Sequence, residues 1–504
     1  MKSRFFKITA IALVLLMLLP LCISCKKTDE EETEETTVAT VEEDPYRDNL
    51  PTDLNYKGAD VNFVSRAHEW YKNEVTVESD TTDDIVNQAV YNREKEVEKR
   101  LNINIVNTML DDGGKAGEEA YARVTEEVKI DQMSETHLYD IAINNMYHTM
   151  GVAAEGFLYN LYDVPHIELT QPYYSQNYNF KGTINGQLYT TTGDASLTFI
   201  KFAFVTFFNK DVAAAQKVPD LYQTILDGNW TLEYQKELIA GMHDDSGTES
   251  GEKDEGDKYG LIINPVTAID PYWSSFDLSL VSTDINGELF LDLDVDKAHS
   301  VYLEIYDMVY ENPDVYCCAH QKDDGEFATQ AQMFAKNQAL FTTLRLGACE
   351  DVNMRNMEAE YGIIPMPKWE KGTDTEYYSY CHDLFSVYGV CGGVTADRLE
   401  MVGATFECFF SESDECRYNQ FEVALKVKYQ SDTSAGQMLD IVIDNVKIDT
   451  GWIYSKSMNK VGLIMRNLIT QKNKVFNSYW RFNSGAYEKY VDNLEENFGI
   501  VPAA

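Results

Sequence analysis

The order of apolar patterns between Asp60 and Ile143 constrains this chain more than any other feature. Asp60 to Val64 alternates hydrophobic and polar residues and predicts a short strand. Thr82 or Asp83 can cap a helix running to about Arg100, in which Val86, Val90, Val97 and Leu101 recur on one face. Ile103 to Val106 predicts a second strand, Glu118 to Met133 a second helix, and Tyr139 to Ile143 a buried third strand. Strand, helix, strand, helix, strand is the pattern of a parallel sheet joined by crossover helices, so the fold class is α/β.

The rest of the chain extends that reading. Phe204 to Phe208 and Tyr259 to Ile263 read as strands, and Gln187 to Tyr189 as extended chain. Thr231 to Met242 and Val301 to Tyr310 read as helices, and Met333 to Thr343 as a helix leading into a strand. Beyond Leu384 the chain turns helical, at Arg398 to Phe410, Asn419 to Tyr429, Gly436 to Ile443 and Tyr487 to Asn497. Two lobes with the chain crossing between them more than once accommodate this order.

The amino terminus sets the compartment. Lys2, Arg4 and Lys7 precede an apolar run from Ile8 to Leu21, too short for an ordinary membrane span and placed as in a secretory signal over residues 1–24. Ser24 before Cys25 has the form of a bacterial lipobox, although Cys22 stands where leucine is usual. Cys25 is therefore the expected lipidated residue, palmitate among its acyl chains, which would hold the protein on the outer face of the cell membrane. Thr28 to Asp44 carries seven glutamates from Glu30 to Glu43 and little that could be buried, so residues 25–50 read as a disordered acidic tether.

Composition narrows the partners. The formal net charge is −41, and the leader carries three of the basic residues, so the mature chain is more acidic still. Nucleic acid, whose phosphates need basic surface, is excluded as a partner. Seven cysteines follow Cys25, at 317, 318, 349, 381, 391, 408 and 416; none has C-x-x-C spacing, and they read mainly as small buried residues.

Several segments together resemble the extracellular solute-binding proteins of sugar-type ABC importers, family one, particularly their large clostridial lipoproteins. They are Asp84 to Arg93 leading into Val97 to Ile103, Tyr139 to Ala142, Gly186 to Tyr189, Phe207 to Lys210, Asp227 to Thr231 and Asp257 to Gly260. Met333-Phe334, Ala339 to Phe341, Tyr361 to Pro367, Leu425 to Tyr429, Asp432 and Met438 to Asp440 follow in the same order. Tyr173-Tyr174 departs from the paired tryptophans of related chains. The resemblance implies a two-lobed, periplasmic-binding-protein-like fold, each lobe a mixed or parallel sheet flanked by helices, with a ligand cleft between. The expected lobes are 51–165 with about 380–450, and 166–379 with about 451–504. It implies a monomer that carries a mono- or oligosaccharide to the permease subunits of an ABC importer, with no cofactor and no catalytic residue. A surface carbohydrate-binding adhesin without a transporter is the other reading.

A sugar site needs flat apolar faces and a few fixed polar groups. Trp70-Tyr71 follows the first strand and Asn144-Asn145 follows the third, where the crevice of an α/β sheet lies. Trp273 and Arg345 occupy segments that face the cleft by resemblance. These six are the expected ligand-binding residues, whereas Trp230 before Thr231 reads as a structural helix entry. Gly389-Val-Cys-Gly-Gly393 with His382 and Asp383 fits the letter of a nucleophile elbow but lacks its strand-to-helix turn, so a hydrolase is disfavoured. The acidic loop from Asp244 to Asp257 lacks the register of a calcium loop and reads as solvated, with no metal.

Overall fold

The computed structural model describes residues 47–78, 84–114, 117–245, 251–285, 287–318, 328–372, 376–423 and 433–499. The leader, Cys25 and the acidic run to Asp44 lie outside the described residues. In chain order the elements that position the site are β1 (Ala59–Arg66), α1 (Ile85–Leu101), β2 (Ile103–Leu110), α2 (Arg123–Met133), β3 (Ile141–Asn145), β4 (Phe204–Asn209), β5 (Tyr259–Ile263), α3 (Asp270–Ser275), β6 (Val315–Cys317), β7 (Ala339–Arg345), β8 (Tyr361–Ile364), β9 (Ser386–Val390), α4 (Leu399–Ser411), α5 (Thr433–Asp444) and α6 (Phe476–Asn497).

Among the described residues β9, β3, β1 and β2 form one sheet in that order. β1 runs parallel to β2 and β3, and β9 is antiparallel to β3. Ile103 and Ile105 of β2 are buried while Asn104 and Val106 are not, as expected of an edge strand with one covered face. β3 is buried along its whole length. The cap of α1 falls one or two residues later than expected: Asp84 accepts from the backbone N–H groups of Val86 and Asn87. Asn102, at φ 49°, closes the helix in the left-handed conformation that asparagine tolerates.

The second sheet has the order β8, β4, β7, β5, β6. β7 and β6 flank β5 in parallel, while β4 is antiparallel to both β7 and β8. β4, β5 and β7 are buried throughout, which explains their nearly unbroken apolar sequences. Trp230 is fully buried here, its Nε1 donating to Pro365 O at 2.9 Å, and Thr231 caps the following helix.

Packing shifts the expected lobe boundaries. Leu169, Tyr173, Tyr174, Leu188 and Ala195 belong to the first core, beyond the expected break at 165. The carboxylate of Glu407 on α4 holds them there, accepting from the hydroxyls of Tyr173 and Tyr174 and from Glu168 N. Conversely Ala435, Met438, Leu439 and Val442 of α5, expected in the first lobe, pack into the core of the second sheet beside β8. An amphipathic helix shows in its sequence that one face is covered, but not by which lobe.

The cysteines from 317 to 416 form no disulfide among the described residues, and all but Cys317 are buried. In the acidic loop, of which 246–250 lie outside the described residues, Lys253 Nζ donates to Asn312 O at 2.5 Å and to Val315 O at 2.8 Å. The loop is thereby tied by a lysine to the backbone that leads into and along β6.

Candidate functional site

Both sheets present one edge to the same strap of chain, Tyr380 to Ser386. The strap meets the second sheet where His382 N donates to Phe202 O and Phe204 N to Tyr380 O, at 3.0 and 2.8 Å. It meets the first where Met146 N and Tyr147 N donate to the carbonyls of Phe385 and Asp383, at 2.9 and 3.0 Å. Because Phe204 pairs with Arg345 and Ser386 with Asn145, the ends of β1, β3 and β7 all converge on this strap. Glu74 joins the crossings: its carboxylate accepts from Thr198 N, Thr198 Oγ1 and Ser386 Oγ. Burial pushes the Glu74 carboxyl above its ordinary range, against the pull of these hydrogen bonds.

Side chains from both lobes meet above the strap. The Arg345 guanidinium lies 4.6 Å from the Trp70 ring centroid and 4.5 Å from that of Phe202. Trp70 is half-buried and meets Phe202 edge-on at 5.4 Å. Tyr71 is buried, and its hydroxyl donates to Leu384 O at 2.7 Å. The Arg66 guanidinium sits over Tyr71 at 5.4 Å and over Tyr121 at 4.5 Å, with one nitrogen 3.0 Å from Asp112. Its Nε and Nη1 are buried without a hydrogen-bond partner among the described residues.

The two asparagines at the end of β3 are engaged within the first lobe. Asn145 Nδ2 donates to Tyr121 O and to Asn144 Oδ1, and its Oδ1 accepts from both N and Nδ1 of His148. All four of its hydrogen-bonding positions are thus filled by neighbours within the lobe. Asn144 Nδ2 is likewise committed, to Thr125 Oγ1 at 2.9 Å and Tyr121 O at 3.3 Å.

The opposite wall comes from the second sheet and the carboxyl-terminal region. Trp273, on α3 after β5, is only 2% exposed, and its Nε1 has no partner among the described residues. On the same helix Asp270 pairs with Arg466, which also comes within 3.8 Å of Asp383 on the strap. Tyr380 packs on Trp452 at 4.9 Å, and the Tyr380 hydroxyl and Trp452 Nε1 are also buried and unpartnered. Beside this interior a hollow of about 520 Å³ opens between the lobes, lined by Trp70, Asn73, Asn87, Lys201, Arg355 and Gln420 among others.

The structure therefore brings Trp70, Tyr71 and Arg345 into one cluster and ties Asn144 and Asn145 to it through Tyr121 and Arg66. Trp273 stands in the other wall, enclosed instead of offering an open face. Sequence reasoning missed Arg66, His148, Tyr147, Tyr380, Trp452 and the Asp270–Arg466 pair. Arg66 ends β1, so the positional rule that selected Trp70 selects it equally. Arg466 and Tyr380 carry no local signal.

The G-x-C-x-G run has a packing explanation. A Cβ on Gly389 would meet Tyr189 O at 2.9 Å, and one on Gly392 would meet Phe157 C at 3.0 Å. Burial pushes the Cys391 thiol well above its ordinary value, and a turn, not a helix, follows β9. This is not a nucleophile elbow.

No protein-family model and no curated protein matches the chain. Among solved structures it is similar to the GacH receptor of Streptomyces glaucescens GLA.O, determined unliganded and in complex with acarbose and an acarbose homolog. The TM-score is 0.51 at 13% identity, covering 88% of this chain and 100% of that one. The fold is two-lobed and periplasmic-binding-protein-like. At that identity the likeness speaks to architecture, and it agrees with two mixed sheets converging edge-on upon shared crossing segments. The GacH structures were compared with acarbose-loaded maltose binding protein of Salmonella typhimurium.

Proposed function

We propose that this protein is an extracytoplasmic solute-binding lipoprotein that captures a mono- or oligosaccharide between its lobes. It hands the ligand, as a monomer, to the permease subunits of an ABC importer. The observation that carries the reading is the meeting of Trp70, Tyr71 and Arg66 from one lobe with Arg345 and Phe202 from the other. Aromatic rings suit the apolar face of a pyranose, and arginines supply directional donors to its oxygens. The acarbose held by GacH supports the carbohydrate class.

A thermal-shift screen against mono- and oligosaccharides tests it. A ligand at 100 times its Kd should add about 2.7 kcal/mol of stability. The stabilising sugar should also reduce the radius of gyration in small-angle scattering, because lobes joined by crossing segments close about a hinge. An unchanged scattering curve at saturation would instead favour a rigid adhesin, and no stabilisation by any saccharide would sink the proposal.

The lipid anchor is a separate element of the proposal, supported by the leader and Ser24-Cys25. Cys25→Ala should move the protein from the membrane fraction to the soluble one. Equal membrane retention of the variant would show that the anchor is not there.

A further inference from the structure

His148 is 3% exposed, and its Nε2 is buried with no partner among the described residues. Its chemistry is set by neighbours. Asn145 Nδ2 gives its two hydrogens to the oxygens of Tyr121 and Asn144, which identifies the other amide atom as the acceptor. His148 Nδ1, 2.7 Å from that oxygen, must therefore carry the proton. In the neutral ring Nε2 is then an acceptor only. The ring remains neutral, because burial and the charges of Lys456, Arg66 and Lys460 push its pKa down to about 3. Tyr121 stacks on the imidazole at 5.8 Å, and Tyr147, whose hydroxyl is also buried and unpartnered, packs edge-on at 5.1 Å.

A buried acceptor held in one tautomer and one orientation, with no donor among the described residues, is costly unless a bound molecule supplies one. We infer that His148 is a specificity-determining residue of the interlobe site, its Nε2 accepting a hydrogen bond from one hydroxyl of the bound saccharide. Around it the Tyr147 hydroxyl, on a ring packed against His148, and Nε and Nη1 of Arg66, which lies over Tyr121, are also buried without a hydrogen-bond partner among the described residues. The arginine N–H groups need acceptors and His148 Nε2 needs a donor, which a polyhydroxy ligand supplies together. The inference rests on the saccharide reading above and adds to it which group reads a hydroxyl.

The test is calorimetric titration of the wild type and His148→Phe with glucose, galactose, maltose, maltotriose, cellobiose and lactose. Phenylalanine keeps the ring on Tyr121 and removes the acceptor, while Asn145 Oδ1 keeps its bond from His148 N. Any of these sugars that binds the wild type should bind the variant at least ~tenfold more weakly, because a ligand hydroxyl loses its partner. The apo melting temperature should stay level or rise, since no unpaired buried acceptor remains. Equal affinities would overturn the inference alone, as would a loss of affinity that tracks a loss of apo stability. Should the variant not fold, the wild-type ¹⁵N resonance of His148 Nε2 decides: it should move on saturation with the binding sugar, and a stationary resonance rejects the role. If none of the six sugars binds the wild type, the saccharide reading falls and this assignment with it.

Discussion

Asp270→Ala should destabilise the unliganded protein by about 3–5 kcal/mol, the cost of stranding a buried charge. The Asp270 side chain is 1% exposed and that of Arg466 14%, and Arg466 Nε lies 2.9 and 3.1 Å from the two carboxylate oxygens. With Asp270 removed, the described carboxylate nearest the guanidinium is Asp383, at 3.8 Å. Burial disfavours the charged guanidinium, but arginine is too strong a base to give up its proton in a protein, so in the variant it cannot escape by losing its charge. Urea denaturation of the apo protein checks this. Arg466→Met in the Asp270→Ala background should recover part of the loss, because the stranded guanidinium is then gone. A midpoint for Asp270→Ala within about 1 kcal/mol of wild type would mean that the pair is open to water.

Trp273→Ala and Trp70→Ala should separate two roles that their sequence contexts do not distinguish. Trp273 is enclosed in the second core, so truncation should cost about 3–5 kcal/mol in the apo protein. Trp273→Phe should cost less, since it keeps an aromatic ring in the core while removing the indole N–H that is unpartnered among the described residues. Binding of a stabilising saccharide should then weaken by roughly tenfold, the worth of one buried hydrogen bond. Trp70 is half-buried, so Trp70→Ala should leave the apo melting temperature nearly unchanged while weakening binding by a similar factor. The measurements are paired calorimetric and thermal-unfolding titrations. Stable apo Trp273→Ala would show that the ring does not fill the core, and normal sugar binding by both Trp273→Phe and Trp70→Ala would remove these residues from the site.

Periodicity made the three parallel strands of the first sheet legible but not β9, which lies where the chain reads as turning helical. Val61 and Phe63 alternate with polar residues, Val86, Val90 and Val97 recur at helical spacing, and both patterns follow from local geometry that any fold must respect. The same is true of Thr231 capping its helix and of the strand at Tyr259–Ile263. Three ligand-site expectations had a positional basis that the structure brings into one cluster: Trp70 and Tyr71 follow β1, and Arg345 closes β7. Asn145 shows the limit of that rule. The residue lies at the cleft edge, but whether its amide faces a ligand or a neighbour depends on Tyr121 and His148, whose placement no local pattern encodes.

By itself, then, the amino-acid sequence determined the alternation of strands and helices, the strong net acidity, and the ends of strands where a crevice can form. These depend on residues a few positions apart, where sterics and amphipathicity act directly. Tertiary structure alone decided that Leu169, Tyr173, Tyr174, Leu188 and Ala195 join the first core, that α5 joins the second, and that Arg466 meets Asp270 across 196 residues. It also decided which polar groups are spent inside the protein and which, like His148 Nε2, remain open. The physical reason is that hydrophobic burial is non-directional and accepts many partners, whereas a buried hydrogen bond or charge pair is satisfied only by the particular group that long-range packing delivers.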